Sequence, residues 1–172
     1  MLFSKVFHLF IALTLVSPIW PIGENPMVGD PFIIVNKTSN ELAFIDDGKI
    51  KNVFKVSTGV AVDLTPEGKF TITVKAKNPY YRKKDIPGGA KENPLGTRWI
   101  GFDAKGTDGR IFGIHGNNNP AFIGKYVTQG CVRMYEEDVQ YLYDHIRLGT
   151  KVVITHSEDN FWELGKKYGA IK

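Results

Sequence analysis

Short apolar or alternating segments separated by turn sequences make up the chain from Phe32 onward, and this pattern constrains the fold most strongly. Residues Lys69 to Lys75 alternate polar and apolar side chains, as in a strand with one buried face. Asp47-Gly48 lies between two strand-like segments, which is a strong signal of a β-hairpin. The pattern predicts a sheet with one covered face. Further strands are predicted at Phe32–Asn36, Glu41–Ile45, Ile50–Ser57, Gly96–Phe102, Arg110–Ile114 and Lys151–Thr155.

Two segments depart from the strand pattern. Residues Asn78 to Pro94 hold three prolines, two adjacent glycines and a basic run without periodicity, which predicts a long exposed loop that covers a site. From Met134, apolar residues recur at helical spacing up to Ile146 behind an acidic first turn, so we expect one principal helix that Gly149 ends.

The N-terminus has the composition of an export signal. Lys5 is followed by an apolar stretch from Val6 to Val16, which is short for a membrane span of about 20 residues. Ser17 to Pro21 contains no clear cleavage pattern, so two outcomes stay open, a cleaved signal peptide and a retained signal anchor at residues 1–23. Either predicts an exported protein at the cell wall or extracellular face.

The remaining length fits one globular domain. We place it at residues 31–156, with residues 157–172 as a tail that forms a short helix. The net charge of +4 comes from basic residues scattered among acids, and no nucleic-acid-binding motif is present. We therefore expect no nucleic-acid partner, and membrane contact only through a retained anchor.

Cys131 is the only cysteine of the chain, which excludes an intramolecular disulfide. A lone cysteine with a suitably placed histidine is a candidate nucleophile. A buried structural thiol is the alternative, and the number of cysteines alone does not favour either interpretation. Cys131 and His115 supply two metal ligands, and a zinc site needs three or four. We predict no metal and no cofactor.

Covalent catalysis by cysteine needs a base and donors for an oxyanion, and the residues around Cys131 offer both. His115 ends a predicted buried strand, and the Gly116 carbonyl is placed to orient its ring. Gly130 brings backbone N–H groups close to the thiol. Cys131 is expected just before the N-terminus of the principal helix and two positions from Arg133, and both features favour a thiolate.

These motifs resemble the bacterial L,D-transpeptidases of the YkuD type, close to Bacillus-type members. The signature is a His-Gly pair followed at some distance by Gly-Cys, an aliphatic residue and Arg or Asn. His115 and Cys131 are sixteen positions apart. The matching segments are His115-Gly116, Gly130–Met134, Asn118–Pro120, Thr65–Phe70, and Asn93–Gly96 with Trp99. Many members have a second histidine before the Gly-Cys pair, where this chain has Gln129, so the acid/base role falls on His115 alone.

The resemblance implies a mainly β fold, a β-sandwich or flattened barrel with one principal helix after the Cys131 loop. It implies a peptidoglycan enzyme of cell-wall construction or degradation and cell shape, in which Cys131 forms an acyl-enzyme with a stem peptide, releases D-alanine and makes 3→3 cross-links. Arg133, Asn118 and Trp99 are then expected to bind substrate, and carbapenem-type inhibitors to acylate Cys131. Two alternatives stay open: an L,D-carboxypeptidase or wall amide hydrolase that uses the same site, and a non-catalytic wall-binding domain.

Overall fold

The computed structural model describes residues 28–172, so the predicted export signal lies outside the described residues. Within that range the chain forms nine strands and two α-helices. The strands are β1 (Phe32–Asn36), β2 (Glu41–Asp46), β3 (Lys49–Gly59), β4 (Gly68–Lys77), β5 (Arg98–Phe102), β6 (Phe112–His115), β7 (Tyr126–Thr128), β8 (Val132–Met134) and β9 (Lys151–Thr155). The helices are α1 (Glu136–His145) and α2 (Phe161–Lys167).

The strands close into a flattened barrel. Their order is β2-β1-β9-β4-β5-β6-β8-β3-β7, and β2 also pairs with β3, so the first eight strands of this order form a ring with β7 attached outside it. Closure leaves few unpaired strand edges. The mainly β fold with one principal helix is thereby confirmed, in its barrel form.

The core fills the barrel and continues under α1. Ile33 and Val35 point inward from β1, and Val139 and Leu142 of α1 join the same buried cluster. The opposite face of β1 carries Phe32 and Ile34, which α2 and the C-terminal residues cover through a second buried cluster. Strand β1 is therefore buried on both faces, which explains its uninterrupted apolar sequence. Residues 157–172, predicted as a tail, pack onto the barrel wall.

Two features differ from the sequence predictions. Strands β7 and β8 have three residues each and were not predicted, because so short a segment shows no periodicity. Helix α1 begins at Glu136, so β8 and Tyr135 lie between it and Cys131. The expectation that Cys131 directly precedes a helix N-terminus is wrong, and the helix dipole gives its thiol no support at that distance.

The predicted loop from Asn78 to Pro94 is ordered by internal contacts. It contains a single 3-10 turn at Arg82–Lys84 and a bridge between Tyr81 and Ile86. The buried Asn93 side chain donates hydrogen bonds to the carbonyls of Pro79 (2.8 Å) and Pro87 (3.1 Å). The loop therefore has a defined shape where it borders the cleft described next. None of the helices within residues 28–172 has the length and apolarity to span a membrane.

Candidate active site

Strand register brings the predicted site residues together. Trp99 of β5 is the Cα partner of His115 in β6, and His115 is the partner of Arg133 in β8. Partner residues on neighbouring strands point to the same side of a sheet. Cys131 immediately precedes β8, next to the end of β6. Residues that are far apart in the sequence therefore share one face of the barrel wall.

This face opens into a cleft of about 530 Å³. Cys131 and Trp99 line it together with Leu95 and Ile111, and the loop from Pro79 to Lys83 forms one wall. The predicted loop thus borders the cleft, and its Arg82 and Lys83 give that wall positive charge. The lining is mostly apolar with a basic rim.

The Cys131 thiol is half-buried and hydrogen-bonded in its protonated form. Its Sγ lies 3.5 Å from the carbonyl oxygen of Ile111, to which the S–H donates. Burial raises the pKa of the thiol, while the Gly113 backbone, Lys83 and Arg133 act in the opposite direction. Because burial is the largest of these effects, the resting group is a thiol.

His115 is buried, with 3% of its surface exposed, and is held from two sides. Its ring stacks on the Trp99 indole with centroids 5.6 Å apart and planes 17° apart. Nδ1 lies 2.8 Å from the carbonyl oxygen of Gly116. A carbonyl only accepts, so Nδ1 carries the proton in the neutral ring and Nε2 keeps its lone pair.

The electrostatic surroundings keep the His115 ring neutral. Burial and the nearby Arg133 guanidinium lower the pKa of His115 to about 4, against smaller opposing effects of hydrogen bonds to the backbone of Gly116 and Leu95. At neutral pH the site therefore combines a thiol with a neutral imidazole. A neutral imidazole can accept a proton from a thiol that comes within hydrogen-bond reach.

Arg133 is partly buried beside the thiol. Its guanidinium lies 5.8 Å from the centroid of the Phe122 ring, and its Nε has no hydrogen-bond partner within the described residues. Burial lowers the pKa of Arg133, and Cys131 and Tyr81 counteract this effect. The guanidinium therefore adds positive charge beside the thiol, while its Nε is buried.

The turn before Cys131 is fixed by Gly130 and Thr128. Gly130 has φ +125°, and a Cβ atom there would lie 2.7 Å from the Leu64 carbonyl oxygen. Thr128 Oγ1 accepts a hydrogen bond from the Gly130 amide at 3.2 Å and donates one to the Cys131 carbonyl at 2.7 Å. The Gly130 N–H is thus engaged in the resting site. Sequence reasoning assigned Thr128 no such role.

Trp99 and Asn118, the two other residues predicted to bind substrate, lie in different places relative to the cleft. Trp99 lines the cleft, and its Nε1 donates to the Gly109 carbonyl at 2.9 Å. Asn118 is exposed, and its side chain donates to the Glu92 carbonyl at 2.9 Å without lining the cleft. Within residues 28–172 no group of three or more His, Cys, Asp or Glu side chains is arranged to hold a metal ion.

A cysteine in a cleft with a buried histidine on the neighbouring strand is typical of cysteine-dependent catalytic domains. The model of the L,D-transpeptidase catalytic domain, YkuD, matches residues 30–154. The chain belongs to this family, as its motifs indicated, and is thereby an enzyme domain of peptidoglycan metabolism.

Relatives and solved structures agree with this assignment. The chain is 55% identical to YqjB of Bacillus subtilis (strain 168) over 165 residues, which cover 96% of this chain and 94% of that protein. It is 31% identical to YkuD of the same organism, over 75% of this chain and 71% of YkuD.

Among solved structures, the catalytic domain of an Enterococcus faecium L,D-transpeptidase acylated by ertapenem aligns with TM-score 0.56 and 21% identity, over 74% of this chain and 98% of that domain. An L,D-transpeptidase of Mycobacterium tuberculosis aligns with TM-score 0.59 and 16% identity, over 73% of this chain and 57% of that one. At these identities the two structures support the fold.

Proposed function

We propose that this protein is a peptidoglycan L,D-transpeptidase that works through a Cys131 acyl-enzyme. The observation that carries the proposal is a thiol in the cleft next to a strand whose neighbour holds the buried, neutral His115, with Nδ1 of its ring fixed by the Gly116 carbonyl. Because Nδ1 is engaged by Gly116, Nε2 is proposed as the base. His115 here takes the part of both acid and base, because position 129 is a glutamine.

The first half-reaction acylates the thiol. Cys131 Sγ attacks the carbonyl of the diaminopimelate residue in a tetrapeptide stem while its proton passes to His115 Nε2. The bond to the terminal D-alanine then breaks as Nε2 returns the proton to the leaving amine. The products are a thioester on Cys131 and free D-alanine.

The second half-reaction releases the acyl group. The amine of an acceptor stem attacks the thioester, His115 accepts the proton that the amine loses, and the regenerated sulfur takes it back. The product is a 3→3 cross-link. Backbone N–H groups near Gly130 are proposed to stabilise the oxyanion in both halves, once substrate displaces the resting hydrogen bond to Thr128.

The charges of the cleft support an anionic peptide as substrate. Arg82, Lys83 and Arg110 line it, and the Arg133 guanidinium adds positive charge beside the thiol. Stem peptides carry several carboxylates, which these cations pair with. Trp99 supplies an apolar surface at the floor, and Asn118 takes part only through the loop it ties to Glu92.

The same site is expected to react with carbapenem-type inhibitors. The cleft admits a small cyclic acyl donor, and a carbapenem that meets the Cys131 thiol is expected to form a stable thioester. The E. faecium relative acylated by ertapenem provides the precedent for such an adduct in this fold. We further propose that residues 1–23 direct export, since peptidoglycan lies outside the membrane.

Incubation with a disaccharide-tetrapeptide, followed by mass spectrometry, tests the proposal. We expect loss of D-alanine and a cross-linked dimer, and neither with Cys131→Ala. A tripeptide without dimer would mean that water takes the acyl group, as in a carboxypeptidase. No D-alanine loss at all, with a folded protein, would favour a wall-binding domain. Activity retained by Cys131→Ala would overturn the assignment of the nucleophile.

A further inference from the structure

The carboxylate of Glu136 points toward the strands and not into solvent, although Glu136 is the first residue of α1. Its Oε1 accepts a hydrogen bond from the Asn117 amide at 2.7 Å. Its Oε2 accepts from both the amide (3.1 Å) and the hydroxyl (2.8 Å) of Thr97. One carboxylate therefore joins the residue before β5 to the segment after β6.

Two glycines provide the space for this carboxylate. A Cβ atom at Gly96 or at Gly116 would overlap Oε1 of Glu136. Gly96 also has φ +67°, which favours glycine. The positions that flank the carboxylate are thus free of side chains, and both belong to segments that reach His115.

The hydrogen bond to Asn117 connects Glu136 with the catalytic imidazole through a single peptide group. The carbonyl of Gly116 and the N–H of Asn117 are the two ends of that group. The N–H donates to Glu136 Oε1, and the carbonyl accepts from His115 Nδ1. An anion at the N–H end raises the negative charge on the carbonyl oxygen, because hydrogen bonds in a chain polarise one another. The His115 Nδ1–H bond is strengthened accordingly.

The second oxygen acts on the other support of the ring. Thr97 lies directly before β5, two positions from the Trp99 indole on which His115 stacks. Gln140 of α1 donates to the Thr97 hydroxyl at 3.1 Å and fixes it as the donor to Glu136. Both groups that hold the His115 ring, the Gly116 carbonyl and the Trp99 indole, are thereby tied to the same carboxylate.

We propose that Glu136 is the positioning residue of the site: through the Gly116–Asn117 peptide it fixes the tautomer and orientation of His115, the part that an aspartate plays by direct contact in other triads. The inference rests on the proposed role of His115 as acid and base. Glu136 then orients the catalytic histidine in addition to its favourable interaction with the helix dipole.

Glu137 provides the matched control. It is the next residue of the same first turn and carries the same charge one position further into the helix, but it is exposed. Glu136→Gln and Glu137→Gln therefore remove equal charge from the helix dipole, and only the first also removes the charged acceptor from the Asn117 amide. Glu136→Asp keeps the charge and shortens the reach.

The test combines carbapenem acylation kinetics with ¹⁵N NMR of the His115 ring on the purified protein. We expect Glu136→Gln to lower the acylation rate constant about 10- to 100-fold, the size of loss found when the hydrogen-bond partner that orients a metal-ligating histidine is removed. The apparent dissociation constant should change little. The acylation rate constant of Glu136→Asp should lie between those of the wild type and Glu136→Gln, and that of Glu137→Gln should match the wild type. In the NMR spectra the proton stays on Nδ1 in wild type and Glu137→Gln, and Nε2–H becomes populated in Glu136→Gln.

The two proposals fail in different ways. Equal rates and equal tautomers for Glu136→Gln and Glu137→Gln, with the wild type still acylated, would overturn the role of Glu136 alone. A wild-type protein that is not acylated would overturn the proposed function, while the NMR comparison still tests the link to Glu136. If Glu136→Gln does not fold, the wild-type spectrum decides, since a proton on Nε2 in the wild type refutes the proposed chain.

Discussion

Acid should destabilise this protein through His115, by an amount that the structure allows us to estimate. The pKa of His115 falls from 6.5 to about 4 on folding, because of burial first and Arg133 second. At pH values between about 4 and 6.5, His115 is protonated in the unfolded chain and neutral in the native protein. The unfolded state thus binds more protons, so stability rises with pH in this window and is lost as the pH falls.

The expected loss is about 3 kcal/mol, since each pKa unit corresponds to about 1.4 kcal/mol. It should begin near pH 6.5 and be complete near pH 4. The assay is urea unfolding by circular dichroism at several pH values from 7 to 4, for the wild type and for His115→Gln. The wild type and His115→Gln have all other titrating groups in common. The difference between their two profiles of unfolding free energy against pH therefore gives the contribution of His115. Parallel profiles would refute the reasoning.

Three further predictions concern the buried Lys37 and two residues of the site, Gly130 and Arg133. Lys37→Met should cost about 1–3 kcal/mol in urea unfolding, because the buried ammonium is 2.8 Å from Glu67 and 3.1 Å from the Thr65 carbonyl; an unchanged unfolding midpoint would contradict this. Gly130→Ala should cost about 1–3 kcal/mol in the same assay and slow carbapenem acylation, since its φ is +125°; wild-type stability and rate would argue against the strained turn. Arg133→Met should move the pH midpoint of iodoacetamide alkylation of Cys131 upward, because Arg133 lowers the pKa of that thiol; a downward shift would show that the charge acts differently.

The barrel strands were predictable because their signal is local. Alternation over Lys69–Lys75 and the Asp47-Gly48 turn follow from side-chain direction and backbone preference within a few residues. The structure has these strands as β3 and β4 with small changes at the ends. The closure of β2 onto β3 and the order of the ring depend on contacts between distant segments, and the fold class came from the resemblance of motifs.

The sequence allowed us to predict which residues form the site, but not the burial and contacts of these residues. The pairing of His115 with Arg133 across β6 and β8 follows from register, and β8 is too short to show a pattern. Cys131 was expected just before the N-terminus of α1, a position that favours a thiolate. The helix begins further along, and the burial that raises the pKa of the thiol is a property of the folded chain. Glu136 was interpreted only as a first-turn acid, since nothing local to it signals contact with Asn117.

The most direct test of the account is the intact mass of the protein after carbapenem treatment. Cys131 is the only cysteine, so a single adduct locates the nucleophile. The account predicts the mass of one carbapenem on the wild type, none on Cys131→Ala, and slow formation on His115→Gln. An unmodified wild-type protein, or an adduct that persists in Cys131→Ala, would contradict it.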